Sequence, residues 1–466
     1  MWKVLSNKKM LDFSKLGEDF FSQVETQPLK NPFLIHTNQS LQTELGLQMS
    51  NDDLLDIASG NKPFQQIKPI ASIYAGHQFG YFVPQLGDGR SCLIGQTQGQ
   101  ELSLKGAGKT PYSRSGDGRA VLRSSIREYL CSIAMQGLGI ATTQALTLVG
   151  SQSEVYREQI ETGAIVLRTA PSHIRFGNFE LFASRGQVKQ VKLLADFVIE
   201  HYYPQCSGKN RYADFLLEVV KRTAIMIANW QAQGFSHGVM NTDNMSILGL
   251  TLDYGPFGFL ETYNPQLICN HSDHEGRYSF DQQPSIGLWN LARLADSLSS
   301  LIDAKQAKSV LAHYQPHLVT NYSQIMRQKF GLLEKHDEDN VLITEFFEVL
   351  YRHKKDYSNS LRKLSDLENF SADGDFSKWL ERYNKRISEE KNHDRIAMMN
   401  RINPSVILRN YLAEKAIRSA EDDKDYTEIG VLFKLLSKPF DAHSKFESYR
   451  IDTPNWAGNL SVSCSS

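Results

Sequence analysis

His237-Gly-Val-Met-Asn-Thr-Asp243-Asn244, followed shortly by Thr251-Leu-Asp253-Tyr-Gly255, is the stretch on which the reading of this chain turns. Asn244 follows His237 by seven residues and Asp253 follows Asn244 by nine, which allows a short hairpin between two oxygen donors. A carboxamide and a carboxylate on one hairpin suit magnesium, a hard cation that keeps waters and substrate phosphates as its other ligands. The competing reading is an Asn/Asp-rich turn capping a helix. Residues upstream decide between the two, because a metal-phosphate site needs cations as well as a metal.

Lys105 stands at the end of an apolar run from Glu101, and Glu128 follows 23 residues later. Leu122, Ile126, Leu130, Ile133 and Ala134 recur at helical spacing around that glutamate, and Gly137 and Gly139 supply stop signals. A strand lysine paired with a helix glutamate fits kinase-type nucleotide sites, where the acid aims the lysine at phosphate oxygens. The bland reading is a surface lysine and a solvated glutamate. Kinases also carry H-R-D-L-x-x-x-N and then D-F-G. His237, Asn244 and Asp253 match that frame, but Val239 stands where the catalytic aspartate belongs, and Asp243 is the only carboxylate in the loop able to replace it. Gly87-Asp-Gly89-Arg90 offers a glycine turn whose amides could approach a phosphate, or simply a tight hairpin. Arg168 and Arg175 flank Thr-Ala-Pro-Ser-His-Ile, and guanidinium forks suit phosphate oxygens. Ser103 to Thr110 nearly matches a phosphate cradle, but Ser103 replaces its first glycine and Pro111 disfavours a following helix, so a glycine-rich turn leaving a strand is predicted there.

Further outward, Ser91 to Gln96, Glu101 to Lys105, Gln144 to Val149 and Ala164 to Arg168 read as strands, the first pair a hairpin at Gly99. Amphipathic helices are predicted over 188–200, 212–233 and 287–302, with a loop-rich region over 234–284. Past Asp303 the chain reads as charge-rich helix, including a predicted helix start at Asn403-Pro404. With 466 residues, 41% hydrophobic and 22% charged, disorder and fibrous repeats are excluded as descriptions of the whole. Fifty-one basic residues against 52 acidic ones leave no global field to gather nucleic acid or an anionic membrane. Charges scattered through Met1 to Ser22 argue against a signal peptide, and no run approaches the ~18 apolar residues of a membrane span. Five scattered cysteines (Cys92, Cys131, Cys206, Cys269 and Cys464) argue for a reducing compartment, so a cytoplasmic location is expected. Asn270-His271-Ser-Asp273-His274 admits a zinc or iron site, and thus a metal-dependent hydrolase, although a hydrogen-bonded loop is the better reading.

Taken in order, Leu86-Gly-Asp-Gly-Arg90, Leu104-Lys-Gly-Ala-Gly108, Pro111-Tyr-Ser-Arg114, Ser115-Gly-Asp-Gly-Arg-Ala-Val-Leu-Arg123, the two segments quoted at the outset, Cys269-Asn-His-Ser-Asp-His274 and the tail Ser461-Val-Ser-Cys-Ser-Ser466 resemble the selenoprotein O (SelO) family. The resemblance implies an α+β, protein kinase-like fold with two lobes: a small mixed β/α N-lobe and a larger helical C-lobe, with helical extensions at both ends. Its divisions fall at 1–70, 71–180, 181–302 and 303–466. It implies ATP bound in inverted orientation, transfer of AMP to Ser, Thr or Tyr hydroxyls of proteins, and release of pyrophosphate. Lys105, Arg168 and Arg175 would hold phosphates, with Glu128 orienting Lys105. Gly87, Gly89, Arg90, Asp117 and Gly118 would line the nucleotide site, Asn244 and Asp253 would hold Mg²⁺ or Mn²⁺, and Asp243 would accept the hydroxyl proton. UTP in place of ATP, γ-phosphate transfer, and a catalytically silent ATP-binding scaffold stay open as alternatives. Cys464 occupies the place of the selenocysteine of eukaryotic members, and a reversible bond to Cys269 is one expectation for it.

Overall fold

The computed structural model describes residues 11–370 and 374–460. Ten strands organise its first part: β1 (Phe21–Gln23), β2 (Phe33–Thr37), β3 (Ile70–Gln78), β4 (Tyr81–Gly87), β5 (Ser91–Thr97), β6 (Gln100–Lys105), β7 (Ala120–Val121), β8 (Gln144–Gly150), β9 (Glu154–Tyr156) and β10 (Ile160–Ala170). They form one sheet in the order β1-β3-β5-β6-β10-β8-β2, with β4 paired to β3 and both β7 and β9 paired to β10. The predicted hairpin at Gly99 is present. Gln98 and Gly99 take φ of 49° and 72°, the left-handed pair that matches the twist of two strands joined by a two-residue turn. Register places Lys105 opposite both Ser91 on β5 and Val166 on β10, in the middle of the sheet.

The helices are α1 (Gln39–Glu44), α2 (Asn51–Ala58), α3 (Leu122–Gly137), α4 (Phe176–Ser184), α5 (Val188–Tyr202), α6 (Arg211–Gln233), α7 (Gln283–Ser297) and eight more between Ala304 and Leu436. An antiparallel sheet followed by a large helical part is a mixed α+β architecture compatible with two lobes. The loop-rich 234–284 segment contributes the two-residue pair β11 (Phe235–Ser236) and β12 (Gly258–Phe259) and two single 3-10 turns, Thr242–Asn244 and Phe280–Gln282. Among the described residues, no helix is long and apolar enough to cross a membrane.

Two sequence expectations are corrected. The N-terminal segment is not a purely helical extension: β1 and β2 are the end strands of the long sheet path. Three- and five-residue strands are too short to show a clear period of two, and their pairing partners lie far along the chain. Nor does Asn403-Pro404 start a helix, since the next one runs from Asn410 to Asp422. The Asn403 amide donates instead to the carbonyl of Lys329 at 2.8 Å, and the N–H groups of Ser405 and Val406 both turn to the carbonyl of Pro439.

Helix α3 is held from several sides. It ends at Gly137, and the predicted stop glycine Gly139, at φ of 75°, closes its cap: Ile140 N–H bonds Met135 O and Gly139 N–H bonds Gln136 O. The Arg127 guanidinium donates to Phe257 O at 2.9 Å and to Asn410 Oδ1 at 3.3 Å, and lies 4.5 Å from the centre of the Phe257 ring. The helix Thr427–Leu436 packs so closely that a Cβ at Gly137 would stand 2.1 Å from Leu436 O. The C-terminal helices therefore brace the element that carries Glu128.

Candidate active site

A cavity of about 590 Å³ opens between β4 to β6 and the 239–256 loops. Of the residues singled out from the sequence, Gly87, Gly89, Arg90, Lys105, Asp117, Gly118, Arg175, Asp243, Asn244 and Asp253 line it, while Glu128 and Arg168 stand behind its wall.

Lys105 points from the end of β6 to Glu128 on α3, and its Nζ bonds Glu128 Oε2. The same Nζ lies 3.4 Å from Asp253 Oδ1. Arg168, near the C-terminal end of β10, bridges the two carboxylates, with Nη1 2.9 Å from Glu128 Oε1 and 2.8 Å from Asp253 Oδ1. Arg175, just before α4, reaches Asp253 Oδ2 at 2.6 Å and donates to the backbone carbonyl of Asp243 at 2.8 Å. Three buried cations thus share two carboxylates. Burial alone would raise the Asp253 pKa, but Arg175, Lys105 and Arg168 hold it well below the carboxylate range. Burial pulls the Lys105 ammonium down despite Glu128 and Asp253. Asp253 itself adopts φ of 53°, a left-handed conformation uncommon outside glycine, of the kind that collects at functional sites.

The glycine turn before β5 is packed under a cover loop. Thr110 Oγ1 donates to Asp88 O at 2.7 Å, Ser113 Oγ donates to Gly89 O, and a Cβ at Gly89 would stand 2.8 Å from Tyr112 O. Residues 106–119 contain no helix, so the near-cradle at Ser103 to Thr110 is a turn leaving β6. At its far end Gly118 has φ of 71°, and any side chain there would meet Gly108 O at 2.1 Å. Asp117 is clamped by both Nη atoms of Arg157, at 2.9 and 3.1 Å, and by the Arg119 N–H.

Asp243 sits in the short turn Thr242–Asn244. Burial pushes its carboxyl up to about 6, against the pull of Arg175 and the Gln78 amide. Its Oδ1 is buried without a hydrogen-bond partner. An orphaned carboxylate oxygen of this kind is rare and calls for a functional explanation. The Asn244 amide nitrogen is committed to Val239 O at 3.0 Å, which leaves its oxygen to a ligand. That oxygen and the Asp253 carboxylate face one cavity, so the donor set fits a hard divalent cation whose remaining ligands are waters and phosphates.

Asp88, inside the glycine turn Gly87-Asp-Gly89, joins the site although its sequence context marks it only as a turn residue. It is buried, accepts from Ser72 N–H at 3.0 Å, and stands 3.8 Å from Arg175 Nη2. Asp273 does not join His271 and His274 around a metal: its oxygens accept the Arg277 and Tyr278 N–H groups at 3.0 and 2.7 Å. Among the described residues, no group of three or more His, Cys, Asp or Glu could hold a metal ion. The Asn270 amide braces Gly238 O at 3.1 Å, so this segment supports the loop that carries Asp243. Cys269 packs against Ser236, while Cys464, the other end of the expected bond, lies outside the described residues.

Residues 3–437 match the family model described as protein adenylyltransferase SelO. The proteins named protein nucleotidyltransferase YdiU from Vibrio vulnificus and Vibrio cholerae are 47% and 48% identical to the chain, each alignment covering 97% of this chain and 98% of the relative. The protein of that name from Myxococcus xanthus is 46% identical over the same shares.

Proposed function

The chain belongs to the SelO family of protein adenylyltransferases, and from that membership we propose that it transfers AMP from ATP to Ser, Thr or Tyr hydroxyls of proteins on a kinase-like, two-lobed scaffold. The observation that carries the reading is the convergence of Lys105, Arg168 and Arg175 on Asp253 at a cavity whose rim also holds Asp243. Such a group suits a polyanion: triphosphate oxygens can take up the cations that otherwise crowd one carboxylate.

Lys105, held by Glu128, would bind phosphate oxygens, with Arg168 and Arg175 fixing the chain of phosphates from the β10 side. Gly87, Gly89, Arg90, Asp117 and Gly118 would line the remainder of the inverted nucleotide. Mg²⁺, or Mn²⁺ in its place, held by Asn244 and Asp253, would neutralise charge gathering on the phosphate oxygens. Asp243 would take the proton of the incoming hydroxyl. The acceptor oxygen then forms its bond to the α-phosphorus, the bond from that phosphorus to the bridging oxygen breaks, and pyrophosphate leaves with the electron pair. Val239 in the kinase-base position fits this reading, because attack at a different phosphorus needs a base in a different place.

The test is incubation of the purified protein with a bacterial lysate, Mg²⁺ and either α- or γ-labelled ATP, with α-labelled UTP in parallel. Label on protein from α-labelled ATP alone is the expected result. Label from γ-labelled ATP alone would make the protein a kinase, label from UTP would change the nucleotide, and none from any would favour a silent scaffold.

A further inference from the structure

The end of β3 grips the loop that carries Asp243, residue against residue. His77 donates its backbone N–H to Thr242 Oγ1 at 2.7 Å, the Thr242 hydroxyl donates to Glu180 Oε2 on α4, and Glu180 Oε1 meets His77 Nδ1 at 2.6 Å. That closes a ring of three residues, with His77 contributing both its backbone N–H and its imidazole. Gln78 Nε2 donates to Asp243 Oδ2 at 3.2 Å. The Phe79 N–H donates to Tyr278 Oη at 2.9 Å and to Asn241 Oδ1 at 3.3 Å, and the Tyr278 hydroxyl donates to the same Asn241 oxygen at 2.7 Å. Three consecutive residues, the last two of β3 and the one that follows it, are therefore spent on Asn241, Thr242 and Asp243.

Gly76 makes the approach possible. A Cβ there would stand 2.7 Å from Asp243 Oδ1 and 3.0 Å from Asp243 Cβ. With Oδ1 turned inward against Gly76 and buried, Oδ2 is the oxygen left to meet an acceptor hydroxyl. A carboxylate oxygen can take two bonds at once, so the Gln78 contact fixes Oδ2 without consuming it. His77 is itself wedged by aromatic rings, its centroid 5.1 Å from that of Phe82 and 5.2 Å from that of Trp289.

We infer that Gln78 is a positioning residue for the transfer step, fixing the Asp243 carboxylate against rotation, with the His77, Thr242 and Glu180 ring holding the loop in register. This rests on the reading of Asp243 as the hydroxyl-activating group. A general base must lie within hydrogen-bond reach of the proton it takes, and a misplacement of about 1 Å can cost ~100-fold in rate. None of these bonds goes to a group assigned above to phosphate or metal.

Four variants test the inference in a bacterial lysate supplied with α-labelled ATP: Gln78→Leu, Thr242→Val, Thr242→Ser and Asp243→Asn. Gln78→Leu is expected to lower the rate at saturating ATP by about 10- to 100-fold, with KM for ATP and melting temperature unchanged. Thr242→Val should behave alike and Thr242→Ser should recover the rate, because serine keeps the hydroxyl that links His77 to Glu180. Should Gln78→Leu fail to fold, Gln78→Asn, which is one methylene too short to reach Oδ2, takes its place. Full rate in the Gln78 variant with Asp243→Asn inactive would overturn this inference alone. Transfer retained by Asp243→Asn would overturn the base assignment and the inference with it. A rate loss matched by an equal rise in KM for ATP would move Gln78 to nucleotide binding and overturn the positioning role.

Discussion

Arg409 and Arg168 are both buried guanidiniums, and they are answered in different ways. Arg409, in the helical part, faces Asp356 Oδ2 at 2.6 Å, and both side chains are sealed from solvent. Arg168 divides one Nη between Glu128 and Asp253, Lys105 presses on the same two acids and Arg175 on Asp253, beside a cavity of about 590 Å³. A sealed pair matters to folding, because removing one partner strands the other charge. Crowded cations at an open cavity are a different arrangement. They persist because something anionic can enter and spread them, which is the physical basis for reading perturbed groups in a cleft as functional.

Exchanging the two kinds of damage is the strongest way to break that contrast. Asp253→Ala is expected to reduce AMP transfer to background, since the residue anchors three cations and is one of two proposed metal ligands. Arg409→Met should instead cost about 3–5 kcal/mol of stability by leaving the Asp356 carboxylate buried without its cation, while the rate per folded molecule below its melting temperature stays within about twofold of wild type. Urea titration and the α-label assay read the two effects separately. Loss of transfer in well-folded Arg409→Met, or normal transfer in Asp253→Ala, would erase the distinction.

A smaller effect sharpens the cavity side of it. Asp243 acts as base only when ionised, and burial pushes its carboxyl up to about 6, against the opposing pull of Arg175 and Gln78. Transfer should therefore rise with pH through about 6, falling about tenfold per unit below it. Transfer rates measured at limiting ATP with excess Mg²⁺ from pH 5 to 8, which report groups of the free protein, show this limb, and a flat profile across the range would remove Asp243 from the role of proton acceptor.

What the sequence made legible was local. Lys105, Glu128, Asn244 and Asp253 could be picked out because each sits at a fixed distance from glycines, a helical stripe or a histidine within its own segment. Arg168 and Arg175 stood out as guanidiniums at a strand exit. The residues that grip Asp243 could not be found this way: Thr242 is 165 positions from His77, and nothing in Gly76-His-Gln-Phe79 marks that strand as touching a distant loop. Asp88 was hidden for another reason, since an aspartate between two glycines reads as turn chemistry until its burial and its contact with Arg175 are seen. Similarly, β1 and β2 are end strands whose partners are set only when the sheet assembles. Tertiary juxtaposition leaves no period in the chain to read.

The contrast reaches its smallest expected effect in two buried lysines. Burial lowers the pKa of both, but Lys105 has Glu128 and Asp253 against it, whereas Lys329 donates, among the described residues, to the neutral Gln233 amide oxygen at 2.8 Å. Lys329 is accordingly brought down from 10.5 to about 7. The unfolded chain holds that proton up to its ordinary value and the folded chain releases it near 7. Between the two, the unfolded state binds more protons, so stability must rise with pH, and below about 7 the lysine's cost is felt in full. Lys329→Met should remove up to about 1.4 kcal/mol per pH unit from the slope of unfolding free energy between pH 7 and 9, and leave AMP transfer unchanged. Equal slopes in urea titrations of variant and wild type would mean that Lys329 keeps its charge when folded, and a buried cation without a facing carboxylate would then be tolerated in the helical part, unlike the cations at the cavity, which share two.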